Sequence, residues 1–172
     1  MTVELTKRGT RGAGFPDMPP WALRLFHAMN MGMFRLAGGW MRIQGRPLLQ
    51  LTTVGAKTGQ RRHTTLGYFP DTGGGAGTAD AGKGDSWLIV ASAAGSARHP
   101  AWYANLAKNP DKVWVELGPE RGRVRQVRPE SLKGEERARA WEEVVRLAPG
   151  YGKYAEQTDR VIPIVRLRAV DG

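Results

Sequence analysis

Six short segments rich in apolar and β-branched residues constrain the fold of this chain more than any other feature. They cover residues 47–54, 64–70, 86–93, 112–117, 122–128 and 162–169. Runs of this kind are typical of β-strands. The alternating strand–helix units and the glycine fingerprint of a dinucleotide-binding fold do not appear among them. We therefore predict an α+β protein, a small barrel of about six mainly antiparallel strands with short flanking helices.

The remaining segments predict helices and flexible connections. Helices are expected at residues 19–40, 99–109 and 131–148, with prolines at the start of the first two. Residues 1–18 are polar and glycine-rich, which predicts a flexible N-terminal arm. Residues 19–172 form the single domain, and its low-complexity stretch at 71–85 is expected to be a flexible loop between strands.

The predicted helix at 19–40 mixes apolar residues with Arg24, His27 and Arg35. It is too polar to cross a bilayer, which needs about 20 mostly apolar residues. Two interpretations stay open: the helix lies on an anionic membrane surface, or it docks on its own domain. The N-terminus lacks the pattern of a signal peptide, so a cytoplasmic location is expected, with peripheral contact at the inner face of the membrane as an option.

The composition excludes several kinds of chemistry. The chain has no cysteine, which removes disulfides, thiolate nucleophiles and iron–sulfur clusters. The three histidines do not show a metal-binding spacing, so no metal is expected. The 26 lysines and arginines exceed the 16 acidic residues by 10. This excess suits nucleic acid, an anionic membrane or an acidic small molecule. The arginines are spread along the chain without a recognition motif, so nucleic acid is not expected.

The stretch GAKTGQRR, at residues 55–62, has the ingredients of an anion site: two glycines, a lysine, a threonine and two arginines. Its order differs from the P-loop, G-x-x-x-x-G-K-[ST], so the site is not that of an ordinary nucleotide-binding loop. The alternative is a basic, solvated hairpin turn.

Three blocks in order carry a resemblance to a known family. They read LLQLTTVGAKTGQRRHTTL, IVASAAGSARHPAWYANLAKNPD and APGYGKYAEQTDRVIPIVRL. Together they resemble the deazaflavin-dependent nitroreductase and quinone reductase family. The resemblance implies a split β-barrel of the flavin-reductase type that uses the reduced deazaflavin coenzyme F420. It implies hydride transfer to a small electron-poor acceptor such as a quinone or a nitro compound, with the protein binding and orienting both partners.

The resemblance also implies site residues. Lys57 and Arg62 would bind the anionic phospholactyl linker and oligoglutamate tail of the coenzyme. Tyr151 and Tyr154 would form a catalytic lid over the acceptor. The other implied coenzyme contacts are Ala56, Thr58, Thr64, Val90, Ala91, Ser92, Ala101, Trp102, Tyr103 and Asn105.

The chain departs from the family pattern at two positions. Ala93 stands where relatives often have a lysine, whose role Arg61 or Arg98 is expected to take. Gly67 stands where relatives can have a tyrosine, and Tyr68 follows one residue later. Two alternatives to an F420 reductase stay open. One is a split-barrel protein that binds FMN or haem, or stores the deazaflavin without catalysis; the other, less favoured, is a basic nucleic-acid-binding module.

Overall fold

The computed structural model describes residues 3–14, 19, 29, 32, 34, 36, 42–43, 45–71, 85–120 and 122–170. Its strands are β1 (Arg42–Ile43), β2 (Arg46–Val54), β3 (Arg61–Gly67), β4 (Phe69–Pro70), β5 (Ser86–Val90), β6 (Val113–Leu117), β7 (Val124–Ser131) and β8 (Ile164–Ala169). Its α-helices are α1 (Ala101–Lys108), α2 (Gly134–Leu147) and α3 (Gly150–Gln157).

The strands form one curled antiparallel sheet that closes on itself. The order of the strands is β1-β2-β6-β7-β8-β5-β4, and β3 pairs with β2 on the side away from β6. Only Tyr68 separates β3 from β4, so these two short strands act as one bent strand that joins β2 to β5. Counted in this way, the ring has about six strands. The predicted α+β split β-barrel is confirmed.

Two apolar clusters stabilise the barrel. The first fills its interior with the buried side chains of Leu49, Leu51, Trp87, Ile89, Val115 and Leu167. The second lies under α2 and α3 and contains Phe69, Leu88, Val90, Val144 and Ile164. Successive residues of a strand point to opposite faces, so β5 sends Ile89 into the first cluster and Leu88 and Val90 into the second. This two-sided burial agrees with the unbroken apolar run in the sequence of β5.

Several element boundaries differ from the prediction. The strand predicted at 64–70 begins at Arg61 and is interrupted at Tyr68, whose N–H donates to the carbonyl of Pro47 at 3.1 Å. The strand predicted at 86–93 ends at Val90. Residues 72–84 of the expected loop lie outside the described residues. Of the predicted helix at 19–40, Met29, Gly32, Phe34 and Leu36 are described as helical. Within the described part of the chain, no helix is long and apolar enough to span a membrane.

Residues 3–14 of the predicted N-terminal arm contact the barrel, and we call them the N-terminal strap. Val3 is 4% exposed and belongs to the barrel core. The N–H groups of Gly9 and Ala13 donate to the carbonyls of Ala97 and Gly95 at 3.0 and 2.9 Å. A Cβ on Gly12 would lie 2.1 Å from the backbone nitrogen of Ala97, so glycine is required there for close contact. From the sequence alone, these glycines indicate flexibility.

Candidate functional site

The turn between β2 and β3, residues 55–60, contains the first six residues of the GAKTGQRR stretch. We call this turn the glycine loop. The N–H of Gly55 donates to the carbonyl of Gln60 at 2.8 Å, and the N–H of Gly59 donates to the carbonyl of Gly55 at 2.9 Å. Gly59 has a φ of +66°, which a side chain would disfavour. This compact turn leaves Lys57 and Thr58 exposed at its tip.

Asn105 fixes the glycine loop to helix α1. Its Oδ1 accepts a hydrogen bond from the N–H of Ala56 at 2.9 Å, and its Nδ2 donates to Oγ1 of Thr53 at 3.0 Å. The side chain is 8% exposed, and both ends of its amide are used within the protein. Of the predicted coenzyme contacts, Asn105 therefore acts on the loop and holds its position.

The two adjacent arginines of the stretch lie on opposite faces of β3. Arg62 pairs in register with Thr53 of β2, whose side chain is buried towards the barrel. The guanidinium of Arg61 lies 4.9 Å from the ring centroid of Trp114, on the other face. Arg61 therefore lies on the face of β3 opposite Arg62, because a one-residue step in a strand reverses the face. The role of Arg61 in place of the lysine missing at Ala93 stays a prediction. Arg98, the other candidate, is exposed in the segment after β5.

Lys57 and Arg62 are the cations that this site offers to an anion. Both side chains are exposed, and neither forms an ion pair with any residue that the structure describes. Arg62 donates a long hydrogen bond, 3.3 Å, to Oε1 of Gln60. Thr64 lies two residues farther along the same face of β3 and is half-buried. Two exposed cations without ion-pair partners, next to a threonine on the same face as Arg62, suit an anionic ligand.

The C-terminal end of β5 forms a second part of the site. Val90 packs in the cluster under α3, whereas the next residue, Ala91, packs in the barrel core. Ser92 then leads into a tight turn in which Ala93 and Ala94 have φ values of +46° and +50°. Left-handed backbone costs a non-glycine residue roughly 1–2 kcal/mol. Two such residues in succession require strong support from their surroundings.

Arg160 supplies part of that support, although the sequence analysis gave it no role. Its side chain is buried, and it donates to the backbone carbonyls of Ala91, Ser92 and Ser96 at 3.1, 2.7 and 2.8 Å. Arg160 lies in the stretch TDRVIP of the third sequence block, which was the available signal. Helix α3 also covers the turn, because a Cβ on Gly95 would lie 2.5 Å from Oε1 of Gln157.

Helix α1 contributes a mostly buried wall. Ala101 is exposed, whereas Trp102 and Tyr103 are 5% and 0% exposed. The hydroxyl of Tyr103 donates to the carbonyl of Glu4 in the N-terminal strap, and its ring lies 5.1 Å from that of His99. The structure therefore places the predicted contacts Trp102 and Tyr103 in the core, where they shape the wall by packing.

The two predicted catalytic tyrosines lie together on α3. The rings of Tyr151 and Tyr154 meet edge to face at 5.8 Å, and Tyr151 also meets Phe69 at 5.6 Å. Both are half-buried against the cluster that contains Val90. Burial raises the pKa of the Tyr151 phenol above its ordinary value of 10.0, with Tyr154 adding to the shift and Arg46 opposing it. The phenol of Tyr151 is therefore protonated throughout the physiological range.

The structure thus gathers the predicted residues into two groups. Ala56, Lys57, Thr58, Arg62, Thr64 and Asn105 surround the glycine loop, and Val90 lies with Tyr151 and Tyr154 in the cluster under α3. Helix α1 and Ala91 connect them through the barrel core. Over the described part of the chain, no group of three or more side chains is arranged to hold a metal ion.

Comparison with known proteins decides the family. The model of the F420H(2)-dependent quinone reductase family matches residues 28–168. The chain belongs to this family. An F420H(2)-dependent quinone reductase of Mycobacterium tuberculosis is 40% identical over 147 residues, which cover 84% of this chain and 88% of that relative.

Two solved structures are similar in fold. One is an F420-H2 dependent reductase, FDR-A, with 33% identity and a TM-score of 0.56, covering 72% of this chain and 95% of that one. The other is a protein solved as a domain-swapped dimer, with 28% identity and a TM-score of 0.57, covering 87% of this chain and 100% of that one. The family predicted from the three sequence blocks is confirmed, and it is a family of F420-dependent oxidoreductases.

The residues present fit an F420-type coenzyme. The linker and tail of the coenzyme are anionic, and the glycine loop presents Lys57 and Arg62 without acidic partners among the described residues. Glycine is favoured at position 55 of this loop, because a Cβ there would lie 2.6 Å from Oγ1 of Thr58. At the other part of the site, the half-buried Ser92 and the exposed Ala101 are small residues that allow a flat ring to approach, whereas Ala91 is fully buried.

Proposed function

We propose that this protein binds reduced F420 between the glycine loop and the end of β5 and transfers its hydride to a quinone. The observation that carries the proposal is the pair of exposed, unpaired cations, Lys57 and Arg62, on a loop that Asn105 fixes to helix α1. Membership in a family of F420H(2)-dependent quinone reductases supports the choice of coenzyme and acceptor.

Each residue of the coenzyme part has a physical role in this proposal. Lys57 and Arg62 neutralise the linker and tail, and a hydrogen bond between charged partners contributes about 1.5–3 kcal/mol. Thr58 and the N–H groups of the loop add uncharged donors. Ser92 and the exposed Ala101 line the ring, and the fully buried Ala91 and the other side chains of the barrel core exclude water.

When bound, reduced F420 would supply the hydride, and the chain positions the quinone. Burial raises the pKa of the Tyr151 phenol, so the phenol stays protonated and can donate a hydrogen bond to a quinone oxygen. Tyr154 packs edge to face on Tyr151 and restrains the orientation of that ring. Oriented binding of two reactants is worth up to about 7–11 kcal/mol of the barrier.

We further propose that the protein contacts an anionic membrane from its cytoplasmic side to meet a lipid-soluble quinone. The net charge of +10 supports this contact, since anionic lipids attract basic surfaces. Sedimentation with vesicles of anionic and of zwitterionic lipid tests it. Preferential recovery with anionic vesicles, lost at high salt, is expected; equal recovery with both would contradict the contact.

The experiment that tests the proposed activity follows the oxidation of reduced F420 by a soluble naphthoquinone. We expect F420 oxidation to depend on both the protein and the quinone, with one quinone reduced for each coenzyme oxidised. NADH and reduced FMN serve as control donors. Quinone reduction that proceeds equally well with either of these donors would contradict the proposal.

A further inference from the structure

Arg160 is a buried cation held by neutral groups. It is 6% exposed, and its guanidinium donates to three backbone carbonyls, those of Ala91, Ser92 and Ser96, at 2.7–3.1 Å. Its fourth partner is Nδ1 of His99 at 3.1 Å. Among the residues that the structure describes, no carboxylate forms an ion pair with it. A charge is costly to bury in this way, so its position calls for an explanation beyond packing.

The three carbonyls lie on both sides of the strained turn after β5. Ala91 and Ser92 precede the left-handed residues Ala93 and Ala94, and Ser96 follows them. A planar guanidinium with several fixed donors can bind both ends of such a turn at once, whereas an ammonium acts as a single compact centre. Arg160 therefore fixes the distance between the two ends of the turn.

His99 connects Arg160 to the N-terminal strap. A guanidinium can only donate, so Nδ1 of His99 must accept, and the ring proton must lie on Nε2. Nε2 then donates to the carbonyls of Thr6 and Lys7, at 3.0 and 3.2 Å. The neighbouring Asp159 accepts hydrogen bonds from the N–H groups of Thr10 and Arg11, at 2.9 and 3.0 Å. The strap thus supports the Arg160 assembly from two sides.

We propose that Arg160 is a positioning residue for the coenzyme: through the carbonyls of Ala91, Ser92 and Ser96 it holds the turn after β5 in the conformation that receives the deazaflavin ring. His99 and the N-terminal strap keep the guanidinium in place. This inference rests on the proposed function, which places the ring against Ser92 and the turn that follows it. Arg160 acts on the ring site through the backbone of this segment.

A purely structural role makes a different prediction, and Arg137 provides the matched control. Arg137 is a half-buried arginine that likewise donates to a backbone carbonyl, that of Ile162, at 2.8 Å. Its guanidinium lies 5.7 Å from the ring centroid of Trp141, on helix α2. If Arg160 only stabilised the fold, Arg160→Lys and Arg137→Lys would each lower the melting temperature and leave coenzyme affinity unchanged.

The test measures binding of oxidised F420 by fluorescence titration, together with the melting temperature and the KM values for reduced F420 and a naphthoquinone. We expect Arg160→Lys to raise the Kd and KM for the coenzyme at least tenfold, with the KM for the quinone within threefold of wild type. Arg137→Lys should keep the wild-type Kd. An Arg160→Lys variant whose Kd lies within twofold of wild type would overturn the inference while the proposed function stands. Failure of the wild-type protein to bind F420 would instead overturn the proposed function, and this inference with it.

A second pair of variants covers the case in which Arg160→Lys does not fold. His99→Gln keeps one acceptor for Arg160 and one donor for the strap, whereas His99→Leu removes both. We expect His99→Leu to weaken F420 binding at least fivefold and His99→Gln to restore most of the loss. Equal affinities in these two variants and in wild type would contradict the coupling of Arg160 to the ring site.

Discussion

Thr53 and Arg62 face each other across strands β2 and β3, and this pairing directs Arg62 towards the mouth of the barrel. Oγ1 of Thr53 accepts a hydrogen bond from Nδ2 of Asn105, and Oδ1 of Asn105 accepts one from the N–H of Ala56. The side-chain amide of Asn105 on helix α1 thus holds both the glycine loop and Thr53, the residue that faces Arg62. Arg61, its neighbour in sequence, lies over Trp114 on the opposite face.

Because the two arginines point in opposite directions, only the substitution of Arg62 is predicted to weaken coenzyme binding. Arg62→Ala should raise the Kd for oxidised F420 about tenfold to a hundredfold, since it removes one charge-assisted hydrogen bond worth about 1.5–3 kcal/mol. It should also make the Kd less dependent on salt. Arg61→Ala is the matched control and should keep both properties within a factor of two. Equal effects of the two substitutions would show that the loop binds the coenzyme only through its general charge.

Tyr151→Phe is expected to lower turnover with a quinone and to leave the Kd for F420 nearly unchanged. The loss should be on the order of tenfold to a few hundredfold, because one hydrogen bond to the reacting oxygen is worth about 1–3 kcal/mol. Tyr154→Phe should act in the same direction and more weakly. Steady-state rates and melting temperatures decide between this role and simple packing. Wild-type rates in both variants would remove the tyrosines from the site.

His99 should make stability depend on pH near neutrality. Its pKa is lowered from 6.5 by burial and by the charge of Arg160, with Arg8 adding to the effect and the carbonyls of Thr6 and Lys7 opposing it. The unfolded chain therefore binds a proton at a higher pH than the folded one, and stability falls as the pH decreases from about 6.5 towards the folded pKa. The corresponding change for Asp159 lies lower, between 3.8 and about 2.

The variant His99→Gln isolates that effect, since glutamine does not titrate. The melting temperature of the wild type should decline relative to that of His99→Gln between pH 7.5 and pH 5.5. Parallel melting curves of the two proteins over this range would contradict the assigned tautomer and its environment.

The N-terminal strap predicts contrasting effects of alanine at two of its glycines. Gly12→Ala should destabilise the fold by about 1–3 kcal/mol or more, because its Cβ would lie 2.1 Å from the backbone nitrogen of Ala97. Gly14→Ala is the control, because a Cβ there meets nothing within 4 Å. Urea denaturation of both variants measures the difference. A Gly12→Ala variant as stable as Gly14→Ala would contradict the close contact of the strap.

The sequence predicted the barrel well because its strands are marked by local composition. The apolar run of β5 and the prolines and glycines around α1 indicate strand and helix without knowledge of distant contacts. The glycine loop was found in the same way, since its charges and glycines are adjacent in the chain. Its relation to Asn105 was not visible as a hydrogen bond, because 49 residues separate Ala56 from Asn105.

The sequence is least informative where distant contacts decide the structure. The strap is glycine-rich and polar, and only its contact with Ala97 and Asp159 shows that the glycines serve close packing. The two arginines are adjacent in sequence, and only the pairing of β3 with β2 separates their faces. Arg160 resembles an ordinary basic surface residue until the carbonyls of a turn 60 to 70 residues away are seen around it.

Titration of the wild-type protein with oxidised F420, and in parallel with FMN, is the most direct test that F420 is the coenzyme of this protein. We expect F420 to bind with a Kd at least a hundredfold below that of FMN, because Lys57 and Arg62 offer two unpaired cations to its longer anionic tail. Increasing salt should reduce this preference. Binding of FMN at least as tight as that of F420 would contradict the account.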